Sequence, residues 1–329
     1  MRLDLHRDHR LLFGLVLGGF VALSAVIAVG PALWVNAHNA PLPGSAQLTT
    51  EEMEGLRVYV AEGCLFCHSQ QVRPLPQDRP FGRPSVPGDY ARLAWLDVWR
   101  EPPGLLGTER TGPDLSDVGD RQPAATWQYI HLYQPRSVVP GSVMAAFPWL
   151  FEVEERPAPD AVVVPIPPPY APARGKVVAT ARAQVLVAYL VALKQLPLPG
   201  AAAEPASTTG SGAQPAAADA GASLYGSRCA ACHQANGKGL PGAFPPLADD
   251  PVVTAADPAE HVRVVLFGRK GAVIGGVSYP GEMPAWGPQL SDEEIAAVVN
   301  HERTSFGNHA PTVKPTDVSG VRRQGPAGG

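Results

Sequence analysis

The sequence predicts an all-α protein: one N-terminal transmembrane helix, then two small helical domains. Three observations predict it. Residues 11–34 contain no charged side chain. The four cysteines fall into two Cys-x-x-Cys-His runs, one in each half of the chain. Helix-capping patterns and apolar residues at helical spacing flank both runs, and a stretch of small and proline residues separates them.

Bulk properties agree with this division. A chain of 329 residues exceeds what one small core organises, so about two domains are expected. Its 34 glycines and 37 prolines are well above average usage, so much of the chain is loop or linker. A net charge of -4 supplies no basic field for a nucleic acid. No unit recurs three times, which excludes a repeat solenoid.

The uncharged run covers 24 positions. As a helix it reaches about 36 Å, enough for a bilayer core of roughly 30 Å. Arg2, Arg7 and Arg10 precede it, against Asp4 and Asp8; Glu51, Glu52 and Glu54 follow, with no Lys or Arg before Arg57. The positive-inside rule then puts the N-terminus in the cytoplasm and the remainder outside it. A cleaved signal peptide would show an apolar region of about 7–15 residues and an A-x-A site, so residues 1–35 read as a retained anchor. Gly14, Gly18 and Gly19 are either a helix-packing face or ordinary glycine content for such helices. Residues 177–196 look apolar but contain Arg182 and Lys194, so no second span is expected.

The first domain is expected over 36–196. Thr49 and Glu52 form a capping-box pattern, so a helix starts there and runs into the first cysteine motif. Leu186, Tyr189, Leu190 and Leu193 recur at helical spacing and predict a closing helix over about 180–195. Seven prolines between 157 and 172 predict an extended, solvated stretch wrapped over the surface. Residues 197–219 cannot bury a core and read as a flexible linker. The second domain is expected over 220–308. A short helix holds Leu224 and Tyr225, and a terminal helix starts at Ser291, with Glu294 completing a capping box and Ile295, Val298 and Val299 inward. Residues 309–329, polar and rich in Pro and Gly, are expected to be disordered. Both domains share one order (helix, cysteine motif, loops, Met, closing helix), which reads as an internal duplication.

The motifs Cys64-Leu65-Phe66-Cys67-His68 and Cys229-Ala230-Ala231-Cys232-His233 carry the chemistry. Chance yields roughly 0.001 such runs in a chain of this composition. Two thiols at this spacing can each add to one vinyl group of a haem, and the adjacent histidine then lies beneath the iron: covalent c-type attachment. A redox dithiol leaves the repeated histidine unexplained. A tetrahedral zinc site wants four ligands in one place, which two motifs on either side of a linker do not supply. Two covalently bound haem c groups are therefore expected, with His68 and His233 as axial ligands.

Of four methionines, only Met144 and Met283 lie downstream of a motif, one per domain. A thioether opposite the histidine raises the reduction potential and leaves no open position, which suits electron transfer. The competing reading makes either methionine a packing residue. His131 is the rival ligand in the first domain and His261 or His301 in the second; each reads as a surface or packing histidine. An axial histidine gives its other N–H to an acceptor that fixes the ring. Each domain has a Pro-x-Leu segment: Pro113, 45 residues beyond His68, and Pro245, 12 beyond His233.

These residues resemble class I cytochromes c, small all-α domains with one His/Met haem, over nearly all of 220–308. In that family the proline of the P-x-L segment offers its carbonyl to the axial histidine; Pro113 and Pro245 match. The first domain is similar to something narrower, the mono-haem subunit of cbb-type haem-copper cytochrome c oxidases. The similarity is carried by Cys64 to Pro74 (CLFCHSQQVRP), by Arg110-Thr111-Gly112-Pro113-Asp114-Leu115 with Val118-Gly119, and by His131 to Met144 (HLYQPRSVVPGSVM). It places Arg73 and Arg136 near the first haem, where guanidinium groups could pair the propionates; the competing reading is a solvated surface arginine. One N-terminal anchor also fits that subunit. The appended second domain departs from the family, in which the mono-haem subunit works beside a separate di-haem subunit. The fusion suggests a variant complex without that subunit.

The resemblance implies an electron-transfer subunit without its own active site. The second domain would accept an electron from a soluble cytochrome c or a quinol-oxidising complex, and the first would pass it to the haem-copper catalytic subunit. The alternative is a free-standing di-haem shuttle, or the cytochrome subunit of a nitric oxide reductase or dehydrogenase. A di-haem peroxidase would need an accessible iron, against which both methionines argue.

Overall fold

The structure is a computed structural model and describes residues 7–38, 41–90, 106–107, 109–199 and 217–326. The apolar run forms α1 (His9–Ser24), a π-helical turn (Ala25–Val29) and α2 (Gly30–His38). His9–Trp34 is long and apolar enough to cross a membrane, and none of it is buried inside the protein. Leu15, Val16, Phe20 and Ile27 are exposed, as a helix in contact with lipid requires.

The first lobe is built on two crossing helices, α3 (Thr50–Ala61) and, much later, the closing helix. Both halves of the expected capping box form at α3: the Glu52 N–H donates to Thr49 Oγ1 at 3.2 Å, and the Thr49 N–H to Glu52 Oε2 at 2.7 Å. Short helices α4 (Pro87–Tyr90) and α5 (Val118–Arg121) and the longer α6 (Ala125–Tyr133) follow. Next comes a three-stranded antiparallel sheet of β1 (Phe151–Glu154), β2 (Val163–Val164) and β3 (Lys176–Ala179), with β3 central. Helix α7 (Ala181–Ala192), capped by Thr180, closes the lobe. Its buried residues Ala183, Leu186, Val187, Tyr189 and Leu190 face α3 and the sheet. The two helices cross at a glycine: a Cβ on Gly55 would stand 2.0 Å from the Val185 carbonyl oxygen. Tyr59 and Tyr189 pack beside the crossing, with ring centroids 5.6 Å apart.

The second lobe repeats the plan. Helix α8 (Ala217–Leu224) crosses the later α12 at Gly221, where a Cβ would meet the Ala297 carbonyl at 2.3 Å. Between them lie α9 (Ala230–His233), α10 (Pro251–Thr254), α11 (Ala259–Phe267) and a hairpin of β4 (Arg269–Ile274) and β5 (Val277–Met283). The hairpin turns on Gly275-Gly276, both at positive φ (57° and 80°), the conformation two-residue hairpin loops demand. Helix α12 (Asp292–Thr304) has its expected capping box, Ser291 with Glu294.

Three expectations are corrected. The protein is not all-α: both lobes carry strands between the methionine-bearing segments and their neighbours. These runs are too short for periodicity to register, and Val163-Val164 and Val177-Val178 are β-branched pairs that suit strands. The proline-rich stretch 157–172 is not wholly solvated, because β2 lies within it and Val164 and Pro167 are buried. The C-terminal segment is ordered: after Lys314 the chain forms α13 (Pro315–Gln324), which buries Val318 and Val321 against α11 and α12. Two valines three residues apart suffice for a short amphipathic helix, but polar composition masks them. Of the expected linker, 197–219, residues 200–216 lie outside the described residues and 217–219 belong to α8.

Charged groups inside the lobes are tied to backbone. Arg303 is fully buried, and its guanidinium donates at 2.7 Å to the carbonyls of Pro311, Val253 and Ala255. Replacing Arg303 with Met leaves these acceptors unpaired and is expected to cost about 3 kcal/mol or more, read by chemical denaturation. In the first lobe, Asp117 Oδ1 accepts from the Gln195 N–H at 2.9 Å. Burial pushes its carboxyl up to about 6 despite that bond. The folded value lies above the unfolded one of about 3.9, so this group makes stability fall as pH rises from about 4 to 6. Asp117→Asn keeps the acceptor and is expected to flatten that part of the stability–pH curve.

Candidate haem sites

Each cysteine motif sits where the first helix of its lobe stops. Helix α3 ends at Ala61 with Glu62 as its C-cap, Gly63 turns left-handed at φ 72°, and a 3-10 turn carries Cys64 to Phe66. In the second lobe a π-helical turn, Tyr225–Cys229, leads into α9, whose last residue is His233. The four thiols are unbridged. Burial pushes those of Cys64 and Cys232 up to about 12 and that of Cys229 well above the usual thiol range. A redox dithiol needs a stabilised thiolate, the opposite condition. Among the described residues, no three His, Cys, Asp or Glu side chains converge as a zinc site would require.

Both histidines are oriented alike. His68 Nδ1–H donates to the Pro113 carbonyl at 2.8 Å, and His233 Nδ1–H to the Pro245 carbonyl at 2.9 Å. A carbonyl only accepts, so each Nδ1 carries the proton and each Nε2 keeps its lone pair for a metal. Burial lowers the pKa of both rings, which favours the neutral, ligating form. Gly112 makes room for the first ring: a Cβ there would lie 2.2 Å from His68 Cε1.

The strap bearing Pro113 is held by backbone and by one carboxylate. The Gly112 N–H donates to the Cys67 carbonyl at 2.9 Å and the Leu115 N–H to the Ser69 carbonyl at 2.8 Å. Asp114, fully buried, accepts from Ser69 Oγ at 2.7 Å and from the N–H groups of Gln71 and Ser116 at 2.8 Å each. Arg110 pairs with Asp114 and Asp78 and donates to Ser69 Oγ at 2.6 Å. In the second lobe the shorter strap is tied by the Gly239 N–H to the His233 carbonyl at 2.9 Å and the Leu247 N–H to the Gly237 carbonyl at 2.7 Å.

Met283 ends β5 and lines a cavity with Cys229, Cys232, His233, Phe244 and Trp286. That cavity is mostly apolar and borders the histidine and both cysteines of the motif; a haem c suits it. Buried His261 borders it too, hydrogen-bonded through Nε2 to Glu302 at 2.8 Å, while its Nδ1 has no protein partner. Met144 is half-buried and packs against the first core together with Cys64 and Leu65. His131 is stacked on Trp127 (centroids 4.5 Å apart, planes 10° apart). Burial, and the charge of His68, lower its pKa to about 4. His301 packs on Tyr225 and Phe306.

The arginines named from sequence are placed differently from each other. Arg73 forms a bidentate pair with buried Asp78, Nε to Oδ2 at 2.9 Å and Nη2 to Oδ1 at 3.0 Å. The two guanidinium groups of Arg73 and Arg110 hold the Asp78 carboxyl well below the usual range. Arg136 is exposed on the 3-10 turn Pro135–Ser137. Sequence reasoning missed Asp78, Asp114 and the role of Arg110. Asp114 was visible as part of a Pro-Asp-Leu segment, but nothing in one sequence shows that it reaches back 43 residues to the Gln71 N–H. Asp114→Ala removes the acceptor for four donors at once, Arg110 included, and is expected to destabilise the first lobe by about 3 kcal/mol, measured by denaturation, and to release the strap.

Two regions of the chain match known families. Residues 5–161 match the family model "Cytochrome C oxidase, mono-heme subunit/FixO", and residues 216–301 match "Cytochrome C oxidase, cbb3-type, subunit III". The chain is 45% identical over 92 residues to cytochrome c-552 of Thermus thermophilus, covering 27% of this chain and 69% of that protein. It is 41% identical over 108 residues to the cytochrome c subunit of the quinone alcohol dehydrogenase of Gluconobacter oxydans, 32% of this chain but only 23% of the relative. It is 38% identical over 101 residues to the cbb3-type oxidase subunit FixP of Azorhizobium caulinodans, 30% of this chain and 31% of the relative. With two cysteine motifs, two proline-anchored histidines and these matches, the chain belongs to the cytochrome c family of electron-transfer proteins that bind haem c covalently, its first region of the cbb3 mono-haem subunit type and its second of the subunit III type.

Proposed function

We propose that this chain is a membrane-anchored di-haem cytochrome that passes electrons to the catalytic subunit of a cbb3-type haem-copper oxidase. One observation carries the reading: two separate histidines, each following a cysteine pair, have Nδ1 pinned by a proline carbonyl and Nε2 left open, and the first of them lies in the region matching the mono-haem subunit. Cys64 and Cys67 would hold one haem and Cys229 and Cys232 the other. His68 with Met144, and His233 with Met283, would supply the axial pairs. The haem iron supplies one-electron chemistry; the chain orients it and excludes water. Arg136 would pair a propionate from the surface turn, while Arg73, bidentate to Asp78, keeps only its remaining N–H groups for one. The helix His9–Trp34 anchors the chain, with Arg7 and Arg10 on the cytoplasmic side and both lobes in the periplasm of a bacterial inner membrane. A soluble cytochrome c or a quinol-oxidising complex would be the donor to the second lobe.

A second reading, the cytochrome subunit of a dehydrogenase, is favoured by the similarity to the Gluconobacter subunit. Mild solubilisation and capture of the native protein separates the two. The oxidase reading expects two haems per chain, co-purification of a large polytopic haem-copper subunit, and no carbon monoxide binding by the reduced chain on its own. Co-purification of a dehydrogenase instead, or carbon monoxide binding at either centre, would overturn it.

A further inference from the structure

The two lobes meet at the cysteine loop of the second. Helix α6 of the first lobe presents Trp127, whose indole N–H donates to the Ala231 carbonyl at 3.1 Å. Ala231 stands between Cys229 and Cys232, the two thiols that would carry the second haem. Beside this bond, Arg228 Nη1 donates to the Asp120 carbonyl at 3.1 Å. Ala243 and Phe244 of the second lobe are buried within the apolar cluster of the first, and Cys232 and Leu240 pack against it. Cys64 and Met144 pack against that same cluster. Gln122 of the first lobe lines the cavity that holds Met283 and His233. One turn along α6, His131 lies parallel to the Trp127 indole.

We propose that this contact is the electron route between the two centres: the lobes dock through a fixed interface, and Trp127 joins the core around the first haem to the Cys-Ala-Ala-Cys loop of the second. The inference rests on the two-haem reading above. A residue run of small and proline residues between the lobes would otherwise leave the second centre to reach the first by tethered diffusion. Docking in one geometry replaces that search with a single intramolecular step. The step moves one electron from the reduced second centre to the oxidised first; no bond forms or breaks and no proton moves. Trp127 is a positioning residue here, acting through the hydrogen bond and the packing around it.

The test is flash photoreduction of the solubilised two-haem protein, following relaxation of the electron between the centres by absorbance. The wild-type phase is expected to be first order, independent of protein concentration and insensitive to solvent viscosity. Trp127→Ala should slow it by about tenfold or more and make it viscosity-dependent, with both midpoint potentials unchanged. Trp127→Phe, which keeps an aromatic ring and loses the hydrogen bond, should fall between and decides the matter if the alanine variant misfolds. Hydrogen exchange in the Leu240–Phe244 segment should rise in Trp127→Ala. A wild-type phase that slows with viscosity, or a Trp127→Ala phase as fast as wild type, overturns the inference alone. Fewer than two haems per chain, counted on the same sample, overturns the parent reading as well.

Discussion

Each lobe is organised around one hydrogen bond, from a histidine Nδ1–H to a proline carbonyl. The bond does two things at once. It selects the tautomer that leaves Nε2 open, and it fixes the plane of the ring. A carbonyl is a better anchor than a carboxylate for this purpose, because it cannot take the proton away. The rest of each lobe keeps that carbonyl in place. In the first lobe the strap comes from 45 residues away and needs Asp114, Arg110 and two backbone bonds to hold it. In the second it comes from 12 residues away and is held by backbone bonds and by Asn308, whose Nδ2 donates to the Leu247 carbonyl at 2.9 Å. A long loop loses more conformational freedom on closure, and the longer strap is the one tied by a buried carboxylate and a guanidinium.

The frame beneath these sites is a helix crossing used twice. Gly55 lets α3 sit directly on the backbone of α7, and Gly221 does the same for α8 on α12. In both cases the cysteine motif begins within a few residues of the end of the first helix. The crossing therefore sets where the thiols and histidine stand relative to the closing helix. Strands were added to this common frame in different places, a three-stranded sheet before α7 and a hairpin that ends on Met283. The hairpin delivers the methionine on a rigid edge; Met144 arrives on an irregular segment packed against the core.

The interface between the lobes gives the duplication its consequence. The second lobe turns its cysteine loop, not its back, toward the first, and donates Phe244 and Ala243 to the neighbouring core. Apolar residues next to the cysteine motif would be a solvent-facing liability in an isolated domain of this type. Here they are covered by the partner lobe.

Local order in the chain by itself determined a great deal. Adjacent residues specify the long apolar N-terminal helix, both capping boxes, the two motifs and the closing helices, because each depends on side chains within a turn or two of one another. Pro113 and Pro245 could be named beside their histidines because a short Pro-x-Leu pattern repeats and resembles the class I cytochrome c segment. What only the tertiary structure decided is long in range. Asp114 reaches Gln71, the exposed Arg73 forks onto buried Asp78, and Trp127 meets Ala231 across 104 residues. The strands and α13 also belong here: β1, β2 and β3 are too short to carry a period and exist because they pair, and α13 is held by two valines that find a surface on α11 and α12. Pattern is set by neighbours along the chain, whereas pairing and burial are set by neighbours in space.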